Sequence, residues 1–193
     1  MSKKYVITFA LLGVLVLSMA CQPKTEYQKL VETELAQNVR QDSLFLGIHF
    51  NMNRKDFFAH CWELNKQGML TNGTGNSVLY DASEHFSEAT NMTFYPSFVE
   101  NKIFEMPVEF QYKAWAPWNK DLEVDVLLDE VKAVLDRWYG EGYLKMVSPD
   151  GLQTVWVKVN GNRRIRVFRK SVSSVVVIFT DLIRLEKMKE ANS

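Results

Sequence analysis

Apolar residues recur along this chain at two spacings, and the switches between them mark out its elements. Behind Thr25 the apolar positions Tyr27, Leu30, Val31, Leu35 and Val39 recur at i, i+3, i+4, i+8 and i+12 with charges between them, the period of an amphipathic helix. Thr25 with Gln28 makes a capping box, so a helix is predicted from about Glu26 to Arg40. Leu44, Leu46, Ile48 and Phe50 then alternate, which predicts a strand. Asn53 caps the next helix, with Asp56 in its first turn to suit the macrodipole. That helix carries Phe57, Phe58, Cys61, Trp62 and Leu64 and stops at Gly68. Thr71 to Ser77 reads as a turn-rich loop. Strands are predicted at Val78 to Tyr80, Met92 to Phe98 and Ile103 to Tyr112, the last pair hinged near Asn101, and Asp81 to Thr90 leaves a helical turn open.

Trp115-Ala116-Pro117-Trp118 breaks the pattern. A further helix is predicted from Leu122 or Val124 to Tyr139, with Leu127, Leu128, Val131, Val134, Leu135 and Trp138 on its buried face and Gly140 as its stop. Strands follow near Tyr143 to Val147, Thr154 to Val159, Arg163 to Arg169 and Val175 to Thr180, and a short polar helix ends the chain. Gln67-Gly68-Met69-Leu70 and Glu141-Gly142-Tyr143-Leu144 are similar helix exits, so two tandem helix-plus-three-strand repeats are expected, over 43–116 and 117–193, fused into one compact domain. The expected class is α+β: helices packed on one face of an antiparallel sheet, preceded by the N-terminal amphipathic helix.

The first residues carry an address. Lys3 and Lys4 precede an apolar run from Val6 to Leu17, too short to span a bilayer comfortably and right for a signal-peptide core. Leu17-Ser18-Met19-Ala20-Cys21 follows. It resembles a bacterial lipoprotein signal, in which a diacylglycerol is attached to the cysteine and the chain is cut before it. That resemblance implies a signal peptide over 1–20, lipidation at Cys21, and a tether plus helix over 21–42 holding the protein on an envelope membrane. Ser18-Met19-Ala20 also satisfies the rule for ordinary secretion, which stays open. With Cys21 lipidated, Cys61 is a lone thiol; otherwise the two could pair.

Charge narrows the functions. The chain has 23 basic and 23 acidic residues, and loss of the segment holding Lys3 and Lys4 leaves it slightly acidic. That argues against nucleic acid as a partner. His60-Cys61 suggests a nucleophile, but neighbours on a helix diverge by about 100°, and Cys61 falls on the side of Phe57 and Phe58, so a buried inert thiol is expected. His49, His60 and His85 lack metal-ligand spacing, and no metal or cofactor is expected. Gly73-Thr74-Gly75 lacks the context of a phosphate loop. Glu84 with Glu88, and Asp125 with Asp129, have the spacing of solvated helix faces, and no catalytic residue is assigned.

The hairpin around Asn160-Gly161-Asn162 offers a binding surface. If Val155, Val157 and Val159 share a face with Ile165 and Val167, the loop holds three residues and pairs Val159 with Arg163 and Lys158 with Arg164. Trp156, Lys158, Arg164 and Arg166 then form a basic ribbon with an aromatic, with Arg169 and Lys170 nearby. It suits an acidic envelope protein, an anionic glycan or a lipid headgroup, though a solvated face guarding a sheet edge would look the same. Trp115 and Trp118 are candidate anchors or plugs between the halves, with Tyr112 beside them. The stretch Leu46 to Phe58, with Val155-Trp156-Val157 and Val175 to Phe179, resembles small envelope lipoproteins of the SmpA/OmlA type and their β-lactamase-inhibitor-like relatives. The resemblance implies an α+β binding module without an active site. Asn51 stands where those proteins usually have glycine. The expected function is a non-enzymatic envelope lipoprotein acting as an interaction module. The alternatives are a small envelope hydrolase acting on glycan or peptide and a carrier of a small apolar ligand.

Overall fold

The structure is a computed structural model, and it describes residues 23–191. Cys21 and the signal segment lie outside the described residues. Four helices, α1 (Glu26–Ala36), α2 (Arg54–Lys66), α3 (Val124–Tyr139) and α4 (Leu182–Ala191), pack against one open antiparallel sheet. Its strands are β1 (Leu70–Asn72), β2 (Val78–Asp81), β3 (Thr90–Phe94), β4 (Ser97–Val99), β5 (Lys102–Tyr112), β6 (Leu144–Val147), β7 (Thr154–Asn160), β8 (Arg163–Arg169) and β9 (Val175–Asp181). They run in the order β1-β2-β3-β5-β9-β8-β7-β6, with β4 paired to the start of β5.

That order has a symmetry. Each half supplies a helix and then four strands on the main path in meander order, and the last strands of the halves, β5 and β9, pair at the centre. The unit is therefore one strand longer than predicted. The loop expected from Thr71 begins inside β1, which forms a hairpin with β2 through the turn at Gly73–Ser77.

Local chemistry accounts for the helix ends. The Thr25 hydroxyl accepts from the Gln28 amide at 3.2 Å, and the Gln28 side chain accepts from the Thr25 amide at 2.8 Å. Asn53 Oδ1 accepts from the Asp56 amide at 2.9 Å and opens α2. In α3 Leu127, Leu128, Val131, Val134 and Leu135 are buried, and Gly140 at φ +81° ends it. Helix α1 ends at Ala36 rather than Arg40, because Asn38 turns left-handed at φ +54°.

The strand predicted at 44–50 is absent. The segment is a tight loop in which Leu46 and Gly47 both have positive φ and Ile48 N donates to Phe45 O at 2.9 Å. The alternation misled because Phe45, an odd position, is buried along with Leu44, Ile48 and Phe50. A loop that folds back can bury both parities; a strand on one face cannot.

Residues opposed across strands share a face, so the register divides the sheet. The first face carries Leu70, Tyr80, Met92, Phe94, Val108, Phe110, Ile165, Val167, Val177 and Phe179. These form the main core with α2, α3 and the 44–52 loop. The second face carries Val157 and Val159, which join Leu182 in a smaller cluster under Tyr27, Leu30, Val31 and Leu35 of α1. The α+β class is as expected, with α2 and α3 on the first face; the N-terminal helix α1 covers the β7 end of the second face, where Leu182 and Leu185 of α4 join it, and Pro107, Phe168 and Val176 on the rest of that face line an open cleft.

Candidate functional site

The β7–β8 hairpin differs from its predicted form by one residue, and the difference redistributes the candidate site. Asn160 pairs with Arg163, Val159 with Arg164, Lys158 with Ile165 and Val157 with Arg166, across a two-residue loop of Gly161 and Asn162. A one-residue slip exchanges faces. Trp156 and Lys158 lie on the first face beside Val167 and Ile165. Arg164 and Arg166 lie on the second face beside Val159 and Val157. Matching apolar faces failed as a guide because β7 and β8 bury their apolar residues on opposite faces. Val157 and Val159 are buried by α1, whereas Ile165 and Val167 belong to the main core under α3.

Only Gly161 fits the tip of this hairpin. Its φ is +54°, and a Cβ there would stand 2.2 Å from the Val39 carbonyl oxygen. Its amide donates to Glu34 Oε2 at 2.9 Å, and the fully buried Asn162 accepts from the Gln41 amide at 2.6 Å and donates to Asp42 at 3.0 Å. The segment after α1 is thereby stapled to the hairpin.

The predicted basic ribbon is dispersed. Lys158 donates to the carbonyls of Gly140, at 2.8 Å, and Glu141, so it caps the C-terminal end of α3. Burial lowers its pKa. Trp156 is half-buried, with the Lys132 and Lys145 ammonium groups 4.7 and 5.9 Å from its ring centre. Arg169 pairs with Asp125 at 2.8 Å and Lys170 with Glu109 at 2.6 Å. Trp115 is half-buried against the main core, Trp118 is 83% exposed, and Tyr112 is buried and donates to Glu130 at 2.8 Å. The structure therefore does not gather Trp115, Trp118, Trp156 and Lys158 with the two arginines.

What remains on the second face is Arg164 and Arg166. Arg164 donates to the Tyr27 hydroxyl at 2.9 Å and to Thr180 Oγ1 at 3.2 Å, and Thr180 donates on to Glu105 at 3.1 Å. Arg166 has Glu105 at 3.8 Å and no hydrogen bond to any described residue; its Nε is buried without a partner. Burial, with Arg164 beside it, lowers its pKa. In register with Arg166 stand Ile178 and Pro107, and in the next row Phe168 and Val176. Tyr95, Pro107, Phe168 and Val176 line a shallow cleft of about 460 Å³, with Lys170 and Glu109 also on its wall. Glu105 and Phe168 were not singled out by sequence reasoning. Their place beside Arg166 follows only from the register.

The other sequence candidates are structural. Cys61 is 9% exposed, and burial pushes its thiol up to about 11. His60 Nε2 lies 2.6 Å from the Leu46 carbonyl, and His49 Nδ1 lies 2.8 Å from that of Phe50. Glu84 accepts from Tyr80 at 2.7 Å. Among the described residues no group of three or more His, Cys, Asp and Glu side chains is placed to hold a metal ion. No helix among them is long and apolar enough to cross a membrane.

No family model matches the chain, and no curated protein matches it. Among solved structures, it is similar to a DUF4309 family protein, YjgB, from Bacillus subtilis. The identity is 15% and the TM-score 0.34, over 79% of this chain and 96% of that one.

Proposed function

We propose that this protein is a non-enzymatic binding module of the bacterial envelope, tethered by lipid at Cys21, whose contact surface is the open half of the second sheet face. The observation that carries this reading is Arg166. Its side chain is partly exposed and its Nε is buried without a partner, yet its guanidinium spends no hydrogen bond on any described residue. A partner carboxylate would meet a planar fork of donors already fixed on a rigid strand. The surface continuous with it is apolar: Pro107, Phe168, Val176 and Ile178. A partner must therefore bring apolar area as well as negative charge, which favours an acidic patch on a protein over a lipid headgroup.

The tether fits. Three residues, Gln22 to Lys24, separate Cys21 from the N-cap Thr25, so the four Cα steps between them reach at most about 14 Å. Lipid at Cys21 would hold α1, and with it Arg164 bonded to Tyr27, close to the bilayer. Anchoring of that kind raises the local concentration of membrane-bound partners.

The test is in-cell crosslinking and capture of the tagged full chain, comparing wild type, Arg166→Glu, and Lys145→Glu on the opposite face. One discrete protein captured by wild type and Lys145→Glu, and lost in Arg166→Glu, supports the reading. Equal capture by all three moves the contact elsewhere. Binding to anionic vesicles by the unlipidated chain, lost in Arg166→Glu, would replace the protein partner with lipid.

A further inference from the structure

The main-core side of the sheet holds an arginine without a carboxylate partner among the described residues, and it lines a cavity. Arg163 is 5% exposed. Its Nη1 donates to the Ser43 carbonyl at 2.6 Å, and its guanidinium carbon lies 4.6 Å from the Tyr139 ring centre. Among the described residues no carboxylate stands within 4.0 Å of it. Asp181, its register partner on β9, is engaged by Arg40 at 3.1 Å and by the first amides of α4. Arg163 Nε is buried with no partner. Arginine cannot shed its proton to escape this situation, and a buried charge without a counterion is costly.

The space beside it is of ligand size. A cleft of about 440 Å³ opens between the 41–46 loop, the end of α3 and the sheet. Leu44, Phe45, Leu46, Met92, Trp138 and Tyr139 supply its apolar walls, with Arg163 as its one fixed cation and His85 as a further polar group. The His85 ring stands edge-on to Trp138 at 5.1 Å. Small-molecule sites have this size and make-up: apolar walls and a few placed polar groups.

We infer that this cleft binds a small monocarboxylate with an apolar body, its carboxylate held by Arg163 and its aliphatic or aromatic part between Trp138, Tyr139 and the 44–46 loop. One cation suits one negative charge; a phosphate dianion would bring more charge and more acceptors than these walls answer. The site lies on the opposite side of the sheet from Arg166 and does not depend on the proposed contact there.

The experiment uses the full chain without its signal segment, titrated with octanoate, 3-phenylpropanoate and their primary amides. Calorimetry and tryptophan fluorescence report binding, the latter because Trp138 forms a wall. The expected result is saturable binding of at least one acid, about tenfold or more tighter than its amide, since a hydrogen-bonded charge pair is lost in the amide. Arg163→Lys should weaken acid binding by a similar factor while leaving amide binding unchanged, because lysine keeps the charge and loses the fork. Equal binding of acid and amide would overturn the role of Arg163. Absence of saturable binding for every acid up to about 1 mM, the weak end of specific recognition, would overturn the site. If the variant fails to fold, the acid–amide comparison on the unmutated chain still decides.

Discussion

Replacing Arg166 by methionine separates a residue kept for contact from one kept for stability. Methionine retains most of the aliphatic length and removes the charge. The structure places Glu105 at 3.8 Å, with side-chain exposures of 34% and 27% for Arg166 and Glu105. At that distance the attraction is about 1 kcal/mol for water's dielectric and about 4 kcal/mol for an effective value near 20. Partial exposure puts the pair toward the lower figure. Against it stands the desolvation of a guanidinium that makes no hydrogen bond to a described residue, a penalty of several kcal/mol when burial is full and less here. The two nearly offset, and Glu105 keeps its hydrogen bond from Thr180 after the change. Arg166→Met should therefore alter stability by no more than about 1 kcal/mol in either direction. For a domain of this size that is a shift of about 2–4 °C in Tm. Urea and thermal melts of the unlipidated chain measure it, and capture of the envelope partner measures the other half of the claim. A fall of about 3 kcal/mol or more would show that the Arg164–Thr180–Glu105–Arg166 network holds the fold, and the contact reading of Arg166 would lose its support.

Three further outcomes follow from the geometry. Gly161→Ala should cost about 2–5 kcal/mol, the sum of left-handed strain and a forced shift against the Val39 carbonyl, read as a lower urea midpoint with unchanged slope; a change below 1 kcal/mol would mean the α1-to-hairpin staple yields freely. Cys61, with its thiol raised to about 11, should resist alkylation at pH 8 in the folded chain and react promptly in denaturant. The Lys113 ammonium at 2.6 Å, with help from Ser83, holds Asp81 down to about 2. Its folded value is below its unfolded one, so its stabilising effect is complete above about pH 4 and fades as pH falls toward 2. Carboxyl NMR titration should show this, and Lys113→Met should move Asp81 back toward an ordinary carboxylate.

Much of the fold was legible because local rules decided it. Thr25, Asn53, Gly68 and Gly140 mark helix ends through caps and backbone freedom that neighbours cannot overrule. Strands β5 and β7 to β9 were readable because β-branched and aromatic residues recur along them. Legibility ended where two partners competed for one strand. Val155, Val157 and Val159 belong against α1, a helix whose docking side the sequence pattern leaves undetermined. The hairpin was accordingly set one residue out of register, and every candidate on it moved with the slip. Leu44 to Phe50 failed for a related reason, since a period of two also arises in a folded loop that buries Phe45 between its turns. Arg163 was invisible as a functional residue: in Arg163-Arg164-Ile165-Arg166-Val167 nothing distinguishes the arginine that turns inward from those that do not.

Arg163, Arg164 and Arg166 of β8 nevertheless make one argument. Each has a buried Nε without a partner, on both sides of a single strand. A strand placed third from the edge, between β7 and β9, would gain from apolar residues at these positions if stability alone were selected. Their placement is explicable if each face meets a different anion. The sheet then acts as a partition, because Arg163 and Arg166 point to opposite sides and share no side-chain partner. Effects at such sites should be independent. Arg166→Met should abolish capture of the envelope partner and leave the preference for a carboxylate over its amide intact. Arg163→Lys should do the reverse. Loss of both properties in either variant would show that the faces are coupled through β8, and that only one anion-binding surface exists.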